Sequence, residues 1–377
     1  MIYLDHNATT SVRPAVLAAM MPCMEEQMGN PASVHSFGRA ARQGLDYARR
    51  QVADFFAVHE SLVCFTSGAT EANNLAIFGC AGMRNQPGHV ITSAIEHPSV
   101  LEAFRSLEQQ GHEVSFLDVD AAGRVHPETL RKILKKETFF VSIMHANNET
   151  GVIQPIAELG RICREHGALF HTDAVQSMGR IPWDHATFPV DMVSISAHKM
   201  GGPKGVGALI MERSLPLKPM LVGGGQERGR RAGTQNLPGI VGLGAVTQWI
   251  ADHQMEEIKA MKRLRDHMED ELSATVPGLV IFSKNAARIP NTSLLGIEGV
   301  HGETLVMNMD LAGFAISSGA ACAAGKGVGS HVLAAMGVAG GLAMSAVRIS
   351  MGWNTRLLEL ERFIQQFTHI VAGLRQA

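Results

Sequence analysis

Long hydrophobic runs, clustered cysteines and a strong net charge are all missing from this sequence of 377 residues. No stretch reaches the ~18 uninterrupted apolar residues of a membrane-spanning helix, and the first residues lack the basic start and apolar run of a signal peptide. A formal net charge of −2, without a run of Lys and Arg, offers no electrostatic attraction to nucleic acid or to a membrane surface. The sequence therefore predicts a cytoplasmic protein that binds neither nucleic acid nor a membrane.

Cysteine is scarce and widely spaced. The five cysteines are Cys23, Cys64, Cys80, Cys163 and Cys322, and no two of them form a C-x-x-C pair. This spacing argues against a disulfide framework and against a structural zinc site, so we expect no metal. Four of them lie in apolar or helical patterns typical of a protein core. Cys322 is flanked by alanines and glycines, which favours an exposed thiol over a buried small hydrophobe.

What the sequence does contain is an alternation of strand and helix patterns. Apolar runs of strand length lie at residues 62–65, 89–93, 139–144 and 168–171. Amphipathic helical patterns separate them, as at residues 100–110 and 156–166. This alternation predicts an α/β fold with a mostly parallel sheet between two layers of helices, and ligands of such folds gather at the carboxyl ends of the strands.

After Gly233 the pattern changes to a long helical stretch at residues 239–275, followed by shorter strands. The change predicts a large domain over residues 13–255. It also predicts a smaller α+β domain over residues 256–377, with residues 1–12 joining it.

Polar residues follow several of the predicted strands. Residues 66–71 form a turn of small residues that opens a helix, and the free N–H groups of a helix start can bind a phosphate. A capped helix without a ligand is the alternative. Asp173 ends another strand, where it could pair with a protonated pyridine nitrogen. Asp173 and His171 could instead form a metal pair or a hydrogen-bonded turn, but the local sequence supplies no further metal ligands.

Lys199 follows an apolar strand and lies among hydroxyls, an imidazole and glycines in residues 194–205. Burial or nearby positive charge lowers the pKa of a lysine, and the free amine can then form a Schiff base with an aldehyde cofactor. An ordinary surface lysine is the alternative, which only the rest of the sequence can exclude.

Taken together, these segments resemble the cysteine desulfurases, pyridoxal-phosphate enzymes of the class V aminotransferase superfamily. The resemblance runs nearly from end to end. The segments that carry it are residues 3–10, 29–35, 67–74, 96–97, 147–151, 171–176, 194–205, 223–229 with 232–234, 317–322 and 347–350. The resemblance implies the fold of a fold-type I pyridoxal-phosphate-dependent transferase.

The resemblance also implies roles around the cofactor ring. Lys199 matches the Schiff-base lysine of the family, and His97 matches the histidine that stacks on the ring and shuttles protons. Asp173 matches the partner of the ring nitrogen, and Gln176 matches the residue that hydrogen-bonds the ring hydroxyl.

The cofactor phosphate would be held from two subunits. Ala69, Thr70, Ser196 and His198 match its ligands within one chain, and Thr234 matches a residue that reaches in from a second chain. The resemblance therefore implies a homodimer with shared active sites.

Asn148 and Arg348 match the residues that bind the substrate carboxylate, and a guanidinium fork suits a carboxylate. Cys322 matches the catalytic thiol. The resemblance implies that L-cysteine is converted to L-alanine while a persulfide forms on Cys322. The sulfur would then pass to an iron–sulfur scaffold or to another acceptor protein.

Two other functions remain open at this point. A selenocysteine lyase, or another class V aminotransferase-like enzyme, would use the same fold and cofactor, because fold and cofactor do not fix the reaction. A scaffold that kept the fold and lost the chemistry is the non-enzymatic alternative. The joint presence of Lys199, His97, Asp173 and Cys322 argues against it.

Overall fold

The computed structural model describes residues 1–26, 28–184, 187–319 and 329–376. The strands are β1 (Ile2–Tyr3), β2 (Val63–Thr66), β3 (His89–Ser93), β4 (Glu113–Leu117), β5 (Thr138–Ser142), β6 (Leu169–Asp173), β7 (Met192–Ser196), β8 (Gly207–Met211), β9 (Leu279–Ile281), β10 (Thr292–Ile297), β11 (Phe314–Ala315), β12 (Ser317–Ser318) and β13 (Val347–Ser350). The helices are α1 (Pro14–Glu25), α2 (Ser36–Phe55), α3 (Ala69–Ala81), α4 (Pro98–Gln109), α5 (Pro127–Ile133), α6 (Ile156–His166), α7 (Leu237–Thr275), α8 (Gly302–Leu311), α9 (His331–Ala335), α10 (Gly340–Met344) and α11 (Leu357–Leu374).

The central sheet has seven strands within the described residues, in the order β2-β8-β7-β6-β5-β3-β4. Neighbours pair in parallel from β4 to β7, and β8 runs antiparallel to both β7 and β2. Six strands therefore share one direction, and their carboxyl ends meet at one edge. The predicted α/β fold with a mostly parallel sheet is confirmed.

Both faces of this sheet are buried, which explains why its strands read as continuous apolar runs. Successive side chains point to opposite faces. Met192 thus joins one apolar cluster with α3 and α4, while Val193 joins another with α1, α2, α6 and the first part of α7. Helices cover the sheet on both sides, as the alternating pattern predicted.

The C-terminal part of the chain has its own apolar core. Within the described residues, β12, β13, β10 and β9 form an antiparallel sheet in that order, and β1 pairs with β11. Leu4, Met268, Val347 and Phe363 belong to one buried cluster behind them. The predicted boundary at residues 255 and 256 lies inside α7, and the division into two domains stays a prediction.

Three of the four cysteines predicted to be in the core are buried, namely Cys64, Cys80 and Cys163. Cys23 is only partly buried, at the edge of the cluster around the central sheet. Burial raises the pKa of the Cys64 thiol to about 12, with Glu227 adding to the shift, so this thiol stays protonated near neutral pH. In the part of the chain that the structure describes, no helix is both long and apolar enough to cross a membrane.

Candidate active site

A cavity of about 650 Å³ opens at the carboxyl ends of β6 and β7, beside the starts of α3 and α4. This is the edge of the sheet where the α/β pattern predicts a ligand. Ten of the residues predicted for the site line the cavity. They are Ala69, Thr70, His97, Asn148, Asp173, Gln176, Ser196, His198, Lys199 and Arg348.

One end of the cavity is suited to an anion. Helix α3 begins at Ala69, and within the described residues no side chain caps it, so the first-turn N–H groups remain available. Ser67 N donates to Glu71 Oε2 at 2.8 Å, and Arg231 Nε donates to Glu71 Oε1 at 2.8 Å. The Glu71 carboxylate is thus compensated by a guanidinium, which leaves the helix start attractive to a phosphate.

The opposite side of this end is formed by the turn after β7. Ser196 ends the strand and is buried, and His198 follows it in a short 3₁₀ turn. His198 Nδ1 lies 3.1 Å from Thr9 Oγ1. Burial, together with the positive charges of Lys199 and Lys204, lowers the pKa of His198 to about 4. The imidazole is therefore neutral at physiological pH and can act as a hydrogen-bond partner for an anion.

Lys199 faces the middle of the cavity. Its Nζ donates to the carbonyl oxygens of Asn7, at 2.6 Å, and Ala8, at 2.8 Å. Burial, and then the nearby guanidinium groups of Arg180 and Arg348, lower the pKa of Lys199 to about 8. A sizeable fraction of the amine is therefore neutral near pH 8, which is the form that reacts with an aldehyde.

Asp173 ends β6 and is held in a fixed orientation. Its Oδ1 accepts from Val175 N at 3.0 Å, and its Oδ2 accepts from Asn73 Nδ2 at 2.8 Å. His171 is not part of the cavity lining. Its Nδ1 lies 2.8 Å from Ser142 Oγ, and its Nε2 lies 2.9 Å from Ser194 Oγ. Both ring nitrogens of His171 are thus engaged by serines, which argues against His171 as a metal ligand.

Arg180 orients the side-chain amide of Gln176. The Arg180 guanidinium donates to Gln176 Oε1, and Gln176 Nε2 donates to the Asn7 carbonyl oxygen at 3.0 Å. Arg180 is buried, and in the described part of the chain it has no carboxylate partner. Burial, and secondarily Arg348, lower its pKa to about 9.

Arg348 is buried at the far side of the cavity. Its Nη2 donates to Asp5 Oδ1 at 2.6 Å, and its Nη1 donates to the Asn148 carbonyl oxygen at 2.9 Å. Its buried Nε has no hydrogen-bond partner among the described residues. Arg348 lines the cavity, so its guanidinium supplies a fixed positive charge to which a carboxylate can bind.

Thr234 and Cys322 are the two other residues predicted for the site. Thr234 is exposed, and the cavity lining within the described residues does not include it. Its predicted contact, with the cofactor phosphate bound by a second subunit, stays a prediction. Cys322 lies outside the described residues, so its predicted role also stays a prediction.

Several residues of the site were not predicted from the sequence. Asn7 and Thr9 lie in one of the resembling segments, but nothing in their spacing indicated that they line the cavity. Asn73, Ser99 and Arg180 were missed because each has a contact far away in the sequence: Asn73 donates to Asp173 and to Ser99, and Arg180 donates to the carbonyl oxygen of His6.

Known proteins match this chain over nearly its whole length. The sequence model of the family Aminotransferase class-V matches residues 2–363. A cysteine desulfurase of Nostoc sp. is 42% identical over 374 residues, which cover 99% of this chain and 94% of that protein. The chain belongs to the cysteine desulfurases of the class-V aminotransferase family. The resemblance seen in the sequence is thereby confirmed.

Two further relatives agree with this family. A cysteine desulfurase IscS of Dictyoglomus turgidum is 40% identical over 375 residues, which cover 99% of this chain and 95% of that protein. A solved structure of a NifS-like protein is 36% identical, covers 99% of each chain and superposes with a TM-score of 0.93. The cysteine desulfurases are pyridoxal-phosphate-dependent enzymes, and this chain is one of them.

The cavity of this cysteine desulfurase fits the cofactor. It combines an uncapped helix start for a phosphate, a lysine with a lowered pKa and a carboxylate at a strand end. These are the groups that an aldehyde cofactor with a phosphate and a pyridine nitrogen requires.

Proposed function

We propose that this cysteine desulfurase converts L-cysteine to L-alanine and places the sulfur on Cys322 as a persulfide. The observation that supports the proposal most is the cavity in which Lys199, Asp173 and Arg348 lie together. The relatives named cysteine desulfurases support L-cysteine as the substrate, and none of those named above favours a selenocysteine lyase.

Each predicted residue would hold one part of pyridoxal phosphate. Lys199 would hold it covalently, Asp173 would pair with the ring nitrogen, Gln176 would hydrogen-bond the ring hydroxyl, and His97 would cover the ring face. The phosphate would be bound by Ala69, Thr70, Ser196 and His198. When bound, the cofactor supplies an electron sink that weakens bonds at the substrate carbon next to the amine.

Arg348 and Asn148 orient the substrate through its carboxylate. The Arg348 guanidinium is fixed by Asp5 and by the Asn148 carbonyl oxygen, so little side-chain entropy is lost when a carboxylate binds. Lys199, as a neutral amine, can take the proton from the substrate carbon and return it later.

Cys322 would accept the sulfur. Its thiolate attacks the substrate sulfur, an S–S bond forms, and the bond between that sulfur and the substrate carbon breaks. The carbon takes up a proton, so one cysteine and one Cys322 thiol give one alanine and one Cys322 persulfide. The two sulfur atoms and all protons are thereby accounted for without an external oxidant.

We further propose a cytoplasmic homodimer that passes sulfur to an iron–sulfur scaffold or to another acceptor protein. In this dimer, Thr234 of one subunit would contact the phosphate bound by the other subunit. The exposure of Thr234, outside the cavity of its own chain, supports its use by a second copy.

Turnover of L-cysteine by the reconstituted protein tests the reaction. Alanine and protein-bound persulfide should form in equal amounts in the first turnover. Replacing Cys322 with Ala should abolish the persulfide while pyridoxal phosphate still binds. Cys23→Ala is the matched control and should retain turnover. Persulfide formation by the Cys322→Ala protein would refute the role of this thiol.

A further inference from the structure

A chain of hydrogen bonds joins Asp173 to His97 through two residues that the reaction does not otherwise require. Asn73, in α3, donates from Nδ2 to Asp173 Oδ2 at 2.8 Å and to Ser99 Oγ at 2.9 Å. Ser99, in α4, places its Oγ 2.8 Å from His97 Nδ1. The backbone N–H of Ser99 also donates to His97 Nδ1, at 3.1 Å, because His97 caps the start of α4.

The position of every hydrogen in this chain follows from the carboxylate at one end. Asn73 must turn its NH₂ group toward Asp173, because its Oδ1 in that place would set two acceptors against each other. The second N–H of Asn73 then occupies a lone pair of Ser99 Oγ. The hydroxyl hydrogen of Ser99 is left for His97 Nδ1.

His97 Nδ1 therefore accepts from both the hydroxyl and the backbone N–H of Ser99. A ring nitrogen that accepts hydrogen bonds carries no proton, so in the neutral ring the proton is on Nε2. Burial lowers the pKa of His97, and the charges of Lys199 and His331 lower it further, while Asp173 acts in the opposite direction. The net lowering favours the neutral ring. The ring lines the cavity, and Nε2 is the nitrogen that remains available to it.

We propose that Ser99 and Asn73 are positioning residues that hold His97 as the tautomer protonated on Nε2. His97 then offers a hydrogen-bond donor to the cavity and does not take up a proton there. This inference rests on the proposed function only for the role of His97 toward cofactor and substrate. It alters the expectation that His97 shuttles protons, because uptake of a proton on Nε2 would first require Nδ1 to become the protonated nitrogen.

Nitrogen NMR of the full-length protein, labelled with ¹⁵N-histidine, tests the tautomer directly. The sequence contains 17 histidines, and the signals of His97 are those that vanish in a His97→Gln protein. Spectra are recorded with and without bound pyridoxal phosphate. We expect two-bond couplings from the ring protons to identify His97 Nε2 as the protonated nitrogen in both samples.

Variants of Ser99 test whether its hydroxyl determines the tautomer of His97. Ser99→Ala removes one donor to Nδ1 and should raise the population of the other tautomer roughly fivefold, as expected for the loss of one hydrogen bond. Ser99→Thr keeps a hydroxyl and should restore the native spectrum. Asn74→Ala is the matched control. Asn74 Nδ2 donates to the carbonyl oxygens of Thr70, at 2.8 Å, and Ser99, at 3.3 Å, and not to the Ser99 hydroxyl, so the tautomer should be unchanged.

Steady-state kinetics give a second measurement. Ser99→Ala should lower kcat for L-cysteine about tenfold with little change in KM, because the substrate clamp is untouched. A wild-type His97 protonated on Nδ1, or a tautomer ratio that Ser99→Ala does not change, would overturn the proposal. Absence of alanine formation by the wild-type protein would instead refute the proposed function. In that case the NMR spectra of the cofactor-free protein would still show which nitrogen of His97 carries the proton.

Discussion

The side-chain amine of Lys199 lies 2.6 Å from the carbonyl oxygen of Asn7 and donates a hydrogen bond to it. The same carbonyl oxygen accepts from Gln176 Nε2. The first residues of the chain therefore form one wall of the cavity, and they connect two residues that follow different strands of the central sheet, Gln176 after β6 and Lys199 after β7. The backbone of this segment, which carries no charge of its own, fixes the position of the amine.

The amine of Lys199 should react with pyridoxal phosphate in a pH-dependent way. Its pKa is lowered to about 8 by burial and by Arg180 and Arg348, and only the neutral amine is a nucleophile. The rate of covalent binding to the cofactor-free protein should rise about tenfold per pH unit below that pKa and level off above it. The rate is followed by the absorbance of the bound cofactor. Lys199→Ala should abolish covalent binding, and Lys204→Ala, at an exposed lysine beside the same cavity, should not.

Removal of the Arg348 guanidinium should weaken binding of the substrate. A charge-assisted hydrogen bond contributes about 1.5–3 kcal/mol, so Arg348→Ala should raise KM for L-cysteine by roughly 10-fold to 150-fold. Arg348→Lys should recover little, because a lysine lacks the planar fork. Arg213→Ala removes an exposed guanidinium that pairs with Asp191, and it should leave KM unchanged. A KM in Arg348→Ala equal to that of the control would exclude this residue from the carboxylate site.

Glu96 should make the folded protein less stable as the pH rises. Its carboxyl group is fully buried, Oε2 has no partner among the described residues, and burial raises its pKa to about 8 from an ordinary 4.5. Between these values the unfolded chain loses the proton while the folded chain keeps it. The free energy of unfolding should therefore fall with pH by up to about 1.4 kcal/mol per unit from this group.

The variant Glu96→Gln isolates that contribution. Glutamine has the same shape and never ionises, so the free energy of unfolding should depend less steeply on pH between pH 5 and pH 8. Urea denaturation at several pH values measures the slope. Equal slopes in the two proteins would show that Glu96 is already ionised in the folded state.

The buried pair of Arg49 and Glu227 should be important for stability. Both side chains are buried, and their two hydrogen bonds measure 2.8 and 2.9 Å. Glu227 Oε2 also accepts from Phe65 N at 3.0 Å. Glu227→Ala leaves a buried guanidinium uncompensated, and it should lower the free energy of unfolding by about 3–5 kcal/mol.

An exposed ion pair supplies the control for this variant. Arg164 and Glu212 pair at 2.8 Å at the surface, so Glu212→Ala should cost at most about 1 kcal/mol. Thermal denaturation of both variants gives the comparison. Similar melting temperatures for Glu227→Ala and Glu212→Ala would mean that the buried pair adds no more than a surface pair.

The features of the fold that were predicted correctly are those that depend on residues close together in the sequence. Strand-length apolar runs and the helices between them indicated the parallel sheet, because their periodicity is local. Lys199 and Asp173 were found because each follows such a strand. Strand β8 was not predicted, and its antiparallel position between β7 and β2 depends on which strands lie beside it. Local patterns contain no information of that kind.

The contacts that complete the site join distant parts of the chain. The hydrogen bond between Arg348 and Asp5 joins residues 343 positions apart, and Asn73, in α3, contacts Asp173 at the end of β6. Neither residue type nor spacing indicates such a partner, because the pairing exists only after the sheet has formed. The roles of Arg348 and Asp173 were therefore predicted by resemblance, and the residues that orient them were not.

Helix α7 passes from one apolar core into the other without a break. Leu243 and Val246, near its start, pack in the core around the central sheet, while Met268 and Leu272, near its end, pack in the C-terminal core. If either core unfolded, about half of this helix would lose its packing contacts. Most helical stability in proteins comes from such contacts. The two cores are therefore thermodynamically coupled, and calorimetry should record a single cooperative transition in place of two.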